Sequence, residues 1–193
     1  MEKKRDLRVQ KTYVSLFQAF QSLLNEKNFE NISVTELCNK AMIRTATFYK
    51  HFSDKYEFFS FMIQELRNDY FAKRYHEFVF ESAESYILNL IRAGFEFLQE
   101  HQALVQIVAS DNMMNIITKT TGDSLRKDLI KQLDKFQNSG YKLIVSPALT
   151  AEILIGSINQ LSRWWLLHKN DTSIDELIYM ITPFINSLII EDS

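Results

Sequence analysis

Between residues 45 and 55 hydrogen-bonding side chains gather at helical spacing around two phenylalanines. Phe48 and Phe52 lie four apart and share one face of a short helix predicted over about 45–51. Thr45, Thr47, Tyr49, Lys50 and His51 fill the remaining, outward arc. Threonine and tyrosine hydroxyls suit phosphate oxygens, and a lysine ammonium can donate to O6 and N7 of guanine. Lys55 falls in the first turn of the next helix, where backbone amides and the helix dipole already favour a phosphate. The chemistry on offer is recognition of a nucleic-acid backbone and of base edges.

Bond-making chemistry has no comparable support, and no enzyme is expected. The four histidines, His51, His76, His101 and His168, form no cluster at metal-ligand spacing, so neither a metal nor another cofactor is expected. There is no glycine-rich phosphate loop. Asp111, Asp128 and Glu152 stand singly, which is the pattern of a solvated surface. The single cysteine, Cys38, has no internal disulfide partner, and its neighbours Leu37 and Ala41 mark it as a small buried apolar residue.

The elements that must position the polar arc are helices. With 4 Gly, 2 Pro and 46% hydrophobic residues in 193, the chain has few turn signals and ample core. Tyr13, Leu16, Phe17, Phe20 and Leu24 form one stripe of a first helix that ends at Asn25-Glu26-Lys27-Asn28. Phe29 and Ile32 should plug the core from the connection. Ser33, with Glu36 three residues on, predicts a capping box opening a second helix on Val34, Leu37, Cys38 and Ala41. Met42-Ile43-Arg44 connects it to the helix of Phe48. Two short helices across a tight turn, after a longer one, make a helix-turn-helix candidate whose second helix would enter the major groove. Ser53 or Asp54 caps a fourth helix, 55–75.

Charge follows the same division. Residues 1–55 hold ten basic and six acidic side chains, +4, and the remainder holds twelve and eighteen, −6. A basic head on an acidic body suits a protein of which only the head meets phosphate. The charged start, Met1 to Asp6, lacks the apolar stretch of a signal peptide, and no apolar run reaches the roughly 18 residues of a membrane span. A soluble, cytoplasmic protein with no membrane partner is the expectation.

Residues 9–60 resemble the N-terminal domain of the TetR/AcrR family. The run Phe29-Glu30-Asn31-Ile32-Ser33-Val34-Thr35-Glu36-Leu37-Cys38 is similar to the family's second-helix pattern, and Thr47-Phe48-Tyr49-Lys50-His51-Phe52, with Lys55 three further on, to its recognition signature. The resemblance implies phosphate contacts from Thr47, Tyr49, His51 and Lys55. It implies base-edge contacts from Thr45, Ala46, Thr47 and Lys50, and a contact from Thr35. Two positions depart from the pattern. Met42 stands where the family's turn has the glycine that tolerates positive φ, at roughly 1 kcal/mol if that geometry is kept. Arg44 replaces the serine that caps the recognition helix, again about 1 kcal/mol; it offers a phosphate grip instead.

The body, 55–193, reads as helices throughout: about 83–99, 101–109, 112–137, 147–167 and 174–190. Gly140 should end the third of these, Ser146-Pro147 open the fourth, and Ser173 with Glu176 open the last as a second capping box, with Pro183 positioned to kink it. The segment Ile153–Ile158 followed by Trp164-Trp165-Leu166 is similar to the penultimate helix of the group that contains dihydroxyacetone kinase regulators. The fold expected is all-α: a three-helix helix-turn-helix domain over 1–54 and a C-terminal helical bundle used for dimerisation, linked by helix 55–75. Trp164, Trp165 and Phe184 are the expected dimer anchors, with Gly156 permitting close approach. The resemblance implies a repressor whose homodimer binds a near-palindromic double-stranded DNA operator through helix 45–51 and is released by a small-molecule effector. Phe95, Met113, Met114, Phe136 and Trp164 are candidates to line an effector cavity, with plain core as the commoner role for such residues. The alternative is a coactivator of the same fold that binds partners and no longer binds DNA; the retained Thr47, Tyr49, Lys50, His51 and Lys55 favour DNA.

Overall fold

The computed structural model describes residues 7–74, 82–101, 104 and 111–190, with the backbone alone at 111–124. The architecture is all-α. In chain order the helices are α1 (Leu7–Leu24), a 3₁₀ turn (Phe29–Asn31), α2 (Val34–Lys40), α3 (Thr45–Phe48), α4 (Lys55–Arg74), α5 (Ala83–Glu100), α6 (Asp111–Asn138), α7 (Pro147–His168) and α8 (Ile174–Ser187). The helix expected over 101–109 lies almost wholly outside the described residues.

The head is an aromatic core. Leu16, Phe20 and Leu23 of α1 meet Phe29 and Ile32 of the connection, Leu37 and Cys38 of α2, Phe48, Phe52, and Phe58, Phe59 and Met62 of α4, all buried. Phe20 stands 5.5 Å from Phe58 and 5.9 Å from Phe29, both edge-on, the arrangement that opposes a ring's positive edge to its neighbour's negative face. Burial pushes the Cys38 thiol up, so it stays protonated and behaves as the small apolar residue expected. The body has its own core, with Ile87, Ile91 and Phe95 of α5, Leu129 and Leu133 of α6, Leu154, Ile155 and Trp165 of α7, and Leu177 and Ile185 of α8. Helix α4 packs on both α6 and α5, α6 on α7, and α5 on α8. Among the described residues no helix is long and apolar enough to cross a membrane.

The helix ends show which local signals prevail. Ser33 accepts a hydrogen bond from the Glu36 amide, but the Glu36 carboxylate turns to Lys27 at 2.5 Å, so only half of the expected capping box forms there. That lysine holds the Glu36 carboxyl below its ordinary pKa. Ser173 and Glu176 complete theirs, each accepting from the other's amide, and these bonds likewise lower the Glu176 carboxyl. Ser146 caps α7 with Pro147 in its first turn, as expected. Helix α8 ends at Ser187, short of the expected Ile190. Ile189 and Ile190 are β-branched and pair antiparallel with Leu143 and Lys142, and the Ile144 amide donates to the Leu188 carbonyl at 3.1 Å. Pro183 sits inside α8, leaving the carbonyl of exposed Tyr179, one turn back, without its helical donor.

Two helices end in the same hydrogen-bond pattern with different residues at its strained position. After α6, Tyr141 donates to the Phe136 carbonyl and Gly140 to Gln137, with Gly140 at φ 104°. After α2, Ile43 donates to Cys38 and Met42 to Asn39, with Met42 at φ 56°. The family-like turn geometry is thus kept, with methionine carrying it. The Met42 side chain is 92% exposed, so it recovers little through packing. Met42→Gly is expected to stabilise the protein by about 1 kcal/mol. Urea unfolding would show a higher midpoint at unchanged slope; a lower midpoint would mean that the methionine side chain holds the turn.

Candidate nucleic-acid interface

The second short helix is one α-turn, Thr45–Phe48, and residues 49–51 continue as turns rather than helix, so the expected 45–51 helix is shortened. Arg44 occupies the N-cap position and makes no capping bond with its side chain, as its chemistry foretold. A single turn without a cap is a costly nucleus, and it is held mainly by its buried face. Phe48 is fully buried, and Phe52 packs on it at 5.4 Å and on Phe61 at 5.3 Å. With those rings anchored inward, Ala46, Tyr49 and Lys50 are exposed and Thr45, Thr47 and His51 half-exposed on the opposite side. Thr35, at the start of α2, and Arg44 are exposed beside them.

Two of these side chains are positioned by neighbours. The His51 ring meets Tyr13 of α1 edge-on, with the Tyr13 hydroxyl 3.4 Å from Nδ1. If Tyr13 donates there, Nε2 carries the proton and is left as the outward donor. Tyr49 stands edge-on to Phe48 at 5.5 Å and stays 57% exposed, its hydroxyl end in solvent reach. Tyr13 belongs to the apolar stripe of α1; its hydroxyl distinguishes it, but only the fold reveals that it faces a residue 38 positions on.

Charge on the head is sorted. Lys27 pairs with Glu36, Lys40 with Glu26, and neither belongs to the polar arc. Arg44 and Lys50 form no ion pair among the described residues. Surface pairs of this kind add little stability, yet they remove acidic groups from competition and leave two cations to the face around Phe48.

Lys55 corrects the expectation placed on it. Its ammonium does not stand out toward a phosphate. It donates to three backbone carbonyls, of Phe29 at 3.1 Å, Glu30 at 2.8 Å and Ile32 at 3.2 Å, and its side chain is 15% exposed. It also lies over the Phe29 ring, 4.8 Å from its centre. An ammonium has three hydrogens, and all three are spent. The helix it begins is capped by Asp54, whose Oδ1 accepts from the Tyr56 and Glu57 amides at 2.8 Å each. Tyr56 reaches back to Glu30 at 2.8 Å, and that bond raises the Tyr56 phenol. The sequence signal for this was the helix-start position itself; which carbonyls the lysine would meet depends on the 3₁₀ turn.

The candidates for an effector cavity are not gathered around one described space. Phe95 packs on Trp165 at 5.5 Å, Phe136 on Tyr86 and Tyr141 at 5.7 Å each, and Trp164 stacks on His168 at the surface; the side chains of Met113 and Met114 lie outside the described residues. A cleft of about 280 Å³ opens elsewhere, lined by Glu84, Tyr141, Asn186 and Ile189. No group of His, Cys, Asp or Glu suited to a metal occurs among the described residues.

This geometry has relatives. No family model matches the chain. The uncharacterized HTH-type transcriptional regulator YxbF of Bacillus subtilis is 41% identical over 64 residues, and the match spans 33% of this chain and only 17% of that protein. The fatty acid degradation regulator FadR of Bacillus halodurans superposes with a TM-score of 0.66 at 17% identity, over 95% of this chain and 96% of its own. FadR of Bacillus subtilis, solved in complex with stearoyl-CoA, gives 0.65 at 14% identity over 90% and 97%. A protein of Syntrophomonas wolfei assigned to the TetR-family transcriptional regulators gives 0.70 at 17% over 93% and 95%. The chain has the all-α fold of the TetR-family transcriptional regulators.

Lys55→Met removes the ammonium and keeps much of the stem, and is expected to lower stability by about 2–3 kcal/mol, the scale of a charged hydrogen-bond donor lost from partly buried acceptors. Urea unfolding measures it. A change within about 0.5 kcal/mol, as for an ordinary surface lysine, would show that the three carbonyl bonds do not operate in solution.

Proposed function

We propose that the protein is a DNA-binding transcriptional regulator, a repressor, whose homodimer grips a near-palindromic operator with the turn-and-helix around Phe48 and lets go when a small molecule binds the body. The observation that carries this reading is the face itself. Thr45, Ala46, Thr47, Tyr49 and Lys50 are turned outward by two buried rings, and the cations left without ion pairs beside α3, Arg44 and Lys50, lie on it. Thr47, Tyr49 and His51 then address phosphates, Thr45, Ala46, Thr47 and Lys50 the base edges, and Thr35 and Arg44 the flanking backbone. Lys55 acts by position, holding the connection that aims α2. Selection of fragments from random or genomic DNA with the purified protein tests the reading, and failure to enrich any sequence would favour a partner-binding coactivator instead.

Lys50 decides between base and backbone contact. Lys50→Ala is expected to cost about 1–3 kcal/mol on the selected operator and much less on scrambled duplex. Competition binding separates the two; equal losses on both would move Lys50 to the phosphates.

The dimer surface proposed is the outer face of α7 and α8. Leu149, Trp164 and Leu167 of α7 and Tyr179, Met180 and Phe184 of α8 are large apolar side chains left exposed in the single chain. Gly156 is exposed in the middle of α7 with nothing within 4 Å of where a Cβ would be, open ground for a second helix. Trp165, expected as an anchor, is instead 3% exposed, packed on Phe95 and donating from Nε1 to the Thr172 carbonyl at 3.1 Å. It belongs to the chain's own core. Adjacent tryptophans point 100° apart on a helix, so one anchor and one core residue is what the geometry permits. Sedimentation of the wild type should give twice the 22.8 kDa chain mass, and Phe184→Glu should shift it toward the monomer. A wild-type monomer at micromolar concentration would remove the two-fold docking.

The effector part of the reading draws on the body's likeness to the FadR that was solved with stearoyl-CoA. An effector acts by binding the DNA-incompetent state more tightly than the competent one.

A further inference from the structure

Tyr13 carries more than its place in the core requires. Its ring meets Phe61 of α4 at 4.8 Å, His51 at 5.4 Å and Phe52 at 5.6 Å. A phenylalanine would make the same three ring contacts. What the tyrosine adds is a hydroxyl, and the fold sets it 3.4 Å from Nδ1 of His51. Rings from α4 and from the segment after α3 hold Tyr13, so α1 delivers that hydroxyl to a fixed point.

His51 needs such a support. It lies past the end of α3, where residues 49–51 run as turns, and its amide donates to the Phe48 carbonyl at 2.9 Å. Its side chain is half-exposed, with the Phe52 ring 6.2 Å away between centres. A neutral imidazole has two nitrogens and one proton. Left to itself, such a ring turns and exchanges that proton between its nitrogens, so a donor at either one is present only part of the time.

The direction of the bond follows from acid strength. A phenol O–H is a better donor than a neutral imidazole N–H, and an imidazole nitrogen is a better acceptor than a phenol oxygen. Tyr13 therefore donates and Nδ1 accepts. The one proton of the neutral ring then resides on Nε2, at the end of the ring far from the backbone.

We infer that Tyr13 is a positioning residue for DNA binding: its hydroxyl holds the His51 ring in one orientation and one tautomer, with the Nε2 proton offered to a backbone phosphate. The inference rests on the proposed DNA-binding function and extends the recognition machinery to α1, which contributes no residue to the polar arc. A phosphate contact fixes register and carries no sequence information. Tyr13 thus tunes affinity for every duplex rather than choice among them. At 3.4 Å the bond is long, so its effect is that of one weak hydrogen bond in each subunit.

The test joins nitrogen NMR of the full chain with DNA binding by wild type, Tyr13→Phe, His51→Ala and the double variant. At about pH 8, above the ordinary histidine range, the His51 ring, identified by its loss in His51→Ala, should carry its proton on Nε2 alone. Tyr13→Phe should move the Nδ1 resonance, because the hydrogen bond it accepted is gone. The same variant should weaken binding to operator and to scrambled duplex alike, about three- to tenfold, at an unchanged salt slope because no charge is lost. His51→Ala should weaken binding at least as much, and adding Tyr13→Phe to it should change nothing further. A proton on Nδ1, or an Nδ1 resonance indifferent to Tyr13→Phe, overturns the inference. So does a Tyr13→Phe protein that binds DNA as wild type does, or a loss that persists in the His51→Ala background. Those binding outcomes, on a wild type that selects an operator, remove Tyr13 and leave the regulator standing; a wild type that enriches no DNA removes both.

Discussion

The head is aimed by one ammonium. Lys55 donates to the carbonyls of Phe29, Glu30 and Ile32, which belong to a three-residue 3₁₀ turn and the residue that follows it. A short 3₁₀ turn leaves carbonyls exposed at its end with no helical donor to follow. Without a cation there, the Phe29 and Ile32 carbonyls would sit part-buried against the Phe29 ring, the first with only the Ile32 amide to satisfy it. With it, the start of α4 is tied to the connection between α1 and α2. That connection sets where Ser33 begins α2, and α2 sets where the turn at Met42 delivers α3. The order of dependence runs from Lys55 to Phe29 and Ile32, then to the two helices whose polar face looks outward.

The turn between those helices shows how far such a frame can carry local strain. Gly140 and Met42 end their helices with the same pair of backbone bonds, and only glycine is free of steric cost at positive φ. Methionine is tolerated because the surroundings leave no other path. Leu37, Cys38 and Ala41 are buried on one side of the turn and Phe48 on the other, with Ile43 packed against the same core. Moving the turn to relieve Met42 would expose several of those side chains, each worth more than the roughly 1 kcal/mol of strain.

What could be read before the fold was known follows from the range over which each interaction acts. Periodicity placed α2, α4, α5 and α7 and the end of α1 within a residue or two, because one buried stripe fixes a helix; α1 begins at Leu7, six residues before its first stripe residue, Tyr13. Caps at Ser33, Ser146 and Ser173 were legible because the residues that make them are three apart. Phe48 and Phe52 were correctly turned inward for the same reason, and with them the outward set of Thr45, Ala46, Thr47, Tyr49 and Lys50. Interactions across the chain were not legible. The three carbonyls that hold Lys55 lie 23 to 26 residues back, beyond the reach of any local pattern. Adjacency in sequence hides the 100° between Trp164 and Trp165. The strand partner of Ile189 and Ile190 is almost 50 positions away.

Helix α4 is the element on which both halves depend. Its first turns supply Phe58, Phe59, Met62 and Ile63 to the head core, its last supply Tyr70 to a cluster with Ala93 and Phe97 of α5, and Leu66 touches both. Arg74 then fastens its end to Glu96 and Glu100. A helix is stiff over 20 residues, and cores packed to crystal-like density do not deform smoothly. A displacement of α4 within the body therefore reaches the head. It must shift Phe58 and Phe59 against Phe20 and Phe48, or move the head with the helix through Lys55.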